Sequence, residues 1–228
     1  ARDTIMQQAH QLAEQQEQQV RADLHGLAEE LGLREAGPAA GTATLEVIEQ
    51  SEKMTDAIKH LGRLADLIVV AKPDRDREIG VSTLKTALFQ TGRPVLMCPR
   101  EGDAPPDLGA RLALGWNGSL ESARAVALTL DLATAAEGVT ILAGGKGEPH
   151  GATTDELVDY YALRGVTATP HRFEARNPGA ALLEKTTELG ADLLLMGAYG
   201  HSHERETLFG GNTQTVVDKA EIPVVLVH

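Results

Sequence analysis

The stretch Ala191–Val227, ADLLLMGAYGHSHERETLFGGNTQTVVDKAEIPVVLV, decides the fold. It holds an unbroken apolar run, a polar loop with glycines at both ends, a helical pattern and a second apolar run. A continuous run of four to eight apolar residues reads as a strand buried on both faces, which is the habit of parallel sheets. Two such strands joined through a helix form a right-handed βαβ unit. The glycines at Gly197, Gly200, Gly210 and Gly211 flank the loop. Glycine lets backbone N–H groups crowd towards a ligand with no side chain in the way. The loop follows the C-terminal end of a buried strand and precedes a helix N-terminus, where N–H groups and the helix dipole favour an anion. Ser202 and Thr213 add hydroxyls. The alternative is a connection whose glycines only permit tight turns.

Upstream, the same grammar repeats. From Arg111 the pattern runs strand (RLALGW), turn (NGS), helix (Leu120 to Thr134), strand (VTILAGG), helix (Asp155 to Arg164), strand (ATPHRFE), helix (Pro178 to Leu189), then the stretch above. Five strands alternating with four helices predict a parallel sheet covered on both faces. Before it, REGDAPPDLG (100–109) is rich in Pro and Gly and reads as a linker, placed at 103–109. The first half has a strand-like Thr42 to Gln50, a helix in EKMTDAIKHLGRLA, a strand in DLIVVAKP, a helix near Ser82 to Gln90 and a strand in PVLMCP. AIKHLGRLADLIVVAKP aligns with LLEKTTELGADLLLMGA, and TGRPVLMCP with AEIPVVLVH, as an internal duplication would produce. The expected architecture is therefore α/β, with two tandem doubly wound parallel-sheet domains at 1–102 and 110–228. The first is expected to be N-terminally incomplete and degenerate. Ahead of it, Ile5, Ala9, Leu12, Gln16, Val20, Leu24, Leu27 and Leu31 recur at helical spacing, predicting a long surface helix from Arg2 to Leu33.

Composition agrees and excludes. Aromatics are only 3% of the 228 residues, so the core is aliphatic. A formal net charge of −12 argues against a nucleic-acid partner, which needs a basic face. No run reaches the ~18 apolar residues of a membrane span. With no signal peptide visible, the expected location is cytoplasmic. Cys98 is the single cysteine, which precludes an internal disulfide and a cysteine zinc site. No metal-site or catalytic residue is assigned. His201 and His203 flank Ser202, but neighbours in sequence seldom supply the geometry of a triad, and no Gly-x-Ser-x-Gly elbow is present. Arg205 suits either a terminal phosphate or an ion pair with Glu204 or Glu206.

The spacing Gly197-x2-Gly200-x9-Gly210 resembles the nucleotide-binding motif of the universal stress protein family, in its bacterial tandem form. That family follows the last glycine with Ser or Thr, whereas Gly211 stands here and Thr213 lies two positions on. The resemblance implies an adenine-nucleotide alpha hydrolase-like fold and an ATP, ADP or AMP ligand, which would bring its own Mg2+. It implies a regulator of a stress response rather than a committed enzyme. Slow ATP hydrolysis stays open, with no residue placed as general base. The implied contacts are Asn117, at the family's Asp position in WNGS, backbone groups about Ala143 and Gly144, and Gly197, Gly200, His201, Ser202, Gly210, Gly211, Asn212 and Thr213. An unidentified protein partner and a homodimer remain open. Asn117 also reads simply as part of a turn in which Ser119 caps the next helix. The first half has DRDREIGVST after its strand, with neither Gly-x2-Gly nor a neutral loop. It is expected not to bind nucleotide in the same way and to pack against the second half through the two last strands. The opposing reading is a non-nucleotide interaction module whose site has decayed at Asn117 and Gly211.

Overall fold

The structure, a computed structural model, describes residues 2–35, 37, 41–50, 52–144, 151–200 and 211–228. The chain divides into two compact units, Ala1–Ser51 and Glu52–His228.

The first unit holds helix α1 (Arg2–Glu30) and a two-stranded parallel sheet of β1 (Arg34–Glu35) and β2 (Thr44–Leu45). The helix ends three residues before the expected Leu33 and turns at Gly32, whose φ of 64° is the left-handed cap conformation. Much of its expected apolar stripe, Leu12, Val20, Leu27 and Leu31, is exposed, while Ala28 is buried. The nine-residue strand expected at 42–50 is reduced to two residues. Beyond Leu45 neither Val47 nor Ile48 is buried, so alternation there finds no sheet to face.

The second unit is built on one seven-stranded sheet. Its elements run α2 (Met54–Gly62), β3 (Ile68–Ala71), α3 (Val81–Gln90), β4 (Val95–Cys98), β5 (Arg111–Gly115), α4 (Leu120–Leu128), α5 (Leu130–Ala135), β6 (Gly138–Gly144), α6 (Thr154–Ala162), β7 (Ala168–Phe173), α7 (Pro178–Glu188), β8 (Leu193–Gly197), α8 (Gly211–Lys219) and β9 (Val224–Val227). The strand order is β3-β4-β9-β8-β5-β6-β7. Every pair is parallel except β4 with β9. The α/β expectation holds, and the last strands of the two halves meet as expected. The sheet is continuous through that antiparallel contact, so residues 52–102 share a compact unit with 110–228.

Local chemistry explains the helix limits. Asn177 caps α7 by accepting from Ala180 N–H at 3.2 Å, and Pro178 follows at the position where a missing N–H costs nothing. Thr153 and Glu156 form a reciprocal capping box on α6. The Thr153 backbone N–H, with its hydroxyl, holds the Glu156 carboxyl below its ordinary pKa. The single helix expected from Leu120 to Thr134 breaks into α4 and α5 at Thr129. This residue leaves helical geometry (φ −114°, ψ 18°) and donates its hydroxyl to Ala125 O at 2.7 Å.

Strand alternation sorts the core into two layers. In β8, Leu194 and Met196 pack on one face with Leu88, Val95, Met97, Val216, Val224 and Leu226. Leu193 and Leu195 pack on the other face with Leu114, Ile141, Tyr161, Val126 and Val225. Each buried aliphatic side chain contributes about 1.5–3 kcal/mol, which is why β8 and β9 are apolar at every position. Cys98 is only partly buried and lies against the second layer. Burial raises its thiol pKa, keeping it protonated and unreactive near neutral pH.

Candidate functional site

Strand order reverses beside β5. The chain leaves β5 towards β6 and β7 on one side, and β8 and β9 lie on the other. Open α/β sheets bind ligands outside the strand C-termini at such a reversal. A cleft of about 490 Å³ lies there, bounded by the ends of β5 and β8 and the starts of α4, α7 and α8. Its size falls in the range of small-molecule sites.

The β5 end supplies Gly115, Trp116 and Asn117. The Trp116 indole is buried and donates to Ala152 O at 3.1 Å, which locks the ring. Asn117 Oδ1 accepts from Ser119 N–H at 3.1 Å, and Ser119 Oγ accepts from Ser122 N–H at 3.2 Å. The expected capping turn is therefore present. It occupies the Asn117 oxygen and leaves the amide NH2 as donor. The β6 end supplies Leu142 and Gly144. A Cβ on Gly144 would stand 2.6 Å from Cζ of Phe173, its register partner on β7, so the glycine leaves room for that ring at the strand end.

The loop after β8 is anchored at both described ends. Tyr199 has φ of 59°, rare for a bulky residue. Its N–H donates to Thr213 Oγ1 at 3.1 Å. Its ring lies 5.5 Å from that of Phe89, and burial pushes its hydroxyl pKa up to about 12, leaving a donor that reaches Gln214 Oε1 at 3.4 Å. Asn212 Oδ1 accepts from Gly179 N–H at 3.2 Å, tying the starts of α7 and α8. Gly211 opens α8 at φ 86°. Replacing Thr213 by Val keeps the shape and removes the acceptor for Tyr199 N–H. The expected cost is about 1–2 kcal/mol, read as a lower urea midpoint; an unchanged midpoint would show that the bond adds nothing.

Of the residues expected from sequence, Asn117, Gly144, Gly197, Gly200, Gly211, Asn212 and Thr213 line this one cleft. Ala143 does not; it sits one position earlier on β6, paired with Arg172. His201, Ser202 and Gly210 lie outside the described residues. Sequence reasoning missed Trp116, Glu121, Phe173 and Tyr199. Trp116 and Tyr199 were within reach, since each adjoins a quoted motif. Phe173 carries no local signal.

The matching turn in the first half is built differently. After β3, Asp74 and Ile79 exchange both backbone hydrogen bonds at 2.9 Å, closing a tight loop. Inside it Asp74 accepts from Arg77 N–H at 3.2 Å and pairs with Arg100 at 2.6 Å. The Arg77 N–H bond above all, with the Arg100 and Arg77 guanidinium charges, holds its carboxyl below the ordinary carboxylate range.

Residues 143–228 match the model of the Universal stress protein family. No curated protein matches the chain. Among solved structures, the chain is similar to a universal stress protein from Archaeoglobus fulgidus DSM 4304 (TM-score 0.67, 18% identity, covering 92% of this chain and 76% of that one). It is similar over 91% of its length, and 77% of the other's, to a functionally unknown protein from Pseudomonas aeruginosa PAO1 (TM-score 0.59, 17% identity). A universal stress protein in complex with cAMP matches 52% of the chain over 95% of its own length (28% identity, TM-score 0.44). The family match thus falls within the second half of the chain, and the full-length likenesses are likenesses of fold. Among the described residues no helix is long and apolar enough to cross a membrane, and no group of three His, Cys, Asp or Glu could hold a metal ion.

Proposed function

We propose that residues 110–228 bind an adenine nucleotide (ATP, ADP or AMP) in the cleft beside β5 and β8, and that occupancy regulates a stress response. The observation that carries this reading is the convergence of the motif glycines Gly197, Gly200 and Gly211 with Asn117 and Thr213 on one cleft at the strand-order reversal. The apolar wall of Leu142, Phe173, Leu182 and Met196 suits a purine. Asn117, Asn212 and Thr213, with the N-terminus of α8, suit ribose and phosphate. The Thr213 hydroxyl accepts from Tyr199 N–H and still has its proton to donate. A nucleotide would bring its own Mg2+.

The test is to denature purified protein, identify any released nucleotide by mass spectrometry, and titrate ATP with Mg2+ into stripped protein by calorimetry. Adenine nucleotide at near-equal amount, or a Kd on the order of micromolar, is the expected result. No nucleotide and no binding heat at several temperatures would overturn the reading and leave an interaction module.

A further inference from the structure

Glu121 is the one charged residue among the described residues that line the cleft. It stands in the first turn of α4, where the helix dipole favours an acid. Both glycines that open the loop face it. A Cβ on Gly197 would lie 2.5 Å from the Glu121 carbonyl carbon, and one on Gly200 would lie 2.7 Å from the Glu121 carboxyl carbon. The side chain thus delivers a negative charge to the start of the loop. The adjoining segment 201–210 carries one Arg against two Glu, and the chain as a whole carries −12.

We infer that Glu121 is a specificity residue that selects against uncompensated phosphate charge. The inference rests on the nucleotide reading above. The cleft then takes the adenosine part readily and takes a polyphosphate only when a divalent cation neutralises it. A second negative charge held close to a carboxylate near a protein surface weakens binding by about tenfold, after the reduction that solvent screening imposes.

The experiment is a calorimetric series of adenosine, AMP and ATP, each with and without Mg2+, on the wild-type chain and on Glu121→Gln. For the wild type, ATP without Mg2+ is expected to bind at least about tenfold more weakly than AMP, with Mg2+ restoring it. Glu121→Gln is expected to raise the affinity of Mg2+-free ATP about tenfold while leaving adenosine within about twofold. If Glu121→Gln loses its folded melting transition, Glu121→Asp, which withdraws the carboxylate by one methylene, takes its place with a smaller gain. An unchanged ATP-to-adenosine ratio in the variant overturns the inference and leaves the nucleotide reading standing. Failure of all three ligands to bind either protein overturns both.

Discussion

Alanine at Gly197 destabilises the chain by about 3 kcal/mol, whereas alanine at Gly200 is nearly neutral. These are the expected results for two glycines of the same motif that touch the same residue. At Gly197 the new methyl group would lie 2.5 Å from the Glu121 carbonyl carbon and 2.5 Å from Ser122 N, both backbone atoms of the α4 start. That turn is held by the Ser119 cap and by the buried Ser122, Ala125 and Val126, so α4 would have to lift from the end of β8. At Gly200 the obstruction is the end of the Glu121 side chain, which can rotate towards solvent. Urea denaturation of both variants separates the cases: a fall in midpoint at constant slope for Gly197→Ala and little change for Gly200→Ala. Equal midpoints would mean that the approach of α4 to β8 is looser than the structure shows.

The second large effect is expected at Gly211. Its φ of 86° is a conformation that β-branched residues adopt only under strain, although among the described residues beyond its chain neighbours and its own helix backbone no atom lies within 4 Å of a Cβ placed there. Valine therefore fits by volume and not by backbone. Relief of the strain would turn the first N–H groups of α8 away from the cleft. Under the nucleotide reading, ATP affinity falls by about a hundredfold, roughly 2.7 kcal/mol. The fold should survive, since Gly211 is exposed. Calorimetric titration of Gly211→Val, beside its melting curve, measures this. Unchanged affinity in a folded variant would remove this helix start from the ligand's surroundings.

Much of the architecture was legible because its signals are local. β8 and β9 announced themselves by apolar runs too continuous for a half-exposed strand, and α7 by Asn-Pro at its start. Two elements misled for physical reasons. Thr129 lies inside an unbroken helical pattern, and nothing in that pattern says that its hydroxyl will take the Ala125 carbonyl. Residues 42–50 alternate as a strand should, yet alternation describes a surface and not a partner. The site followed the same division. The glycines were visible, but their principal neighbour at Gly197 and Gly200 is Glu121, far away in the chain. Packing across such a separation leaves no periodicity to read. What looked like space reserved for a ligand is, at Gly197, space taken by a helix.

The antiparallel contact between β4 and β9 joins two βαβ halves within one chain, with Leu96 facing Val225 at its centre. Between separate molecules a strand pair of this kind would dissociate on dilution, and its occupancy would follow protein concentration. Here a covalent tether, residues 99–110, fixes the local concentration of one strand about the other. The pairing is therefore as complete in a dilute solution as in a crowded one.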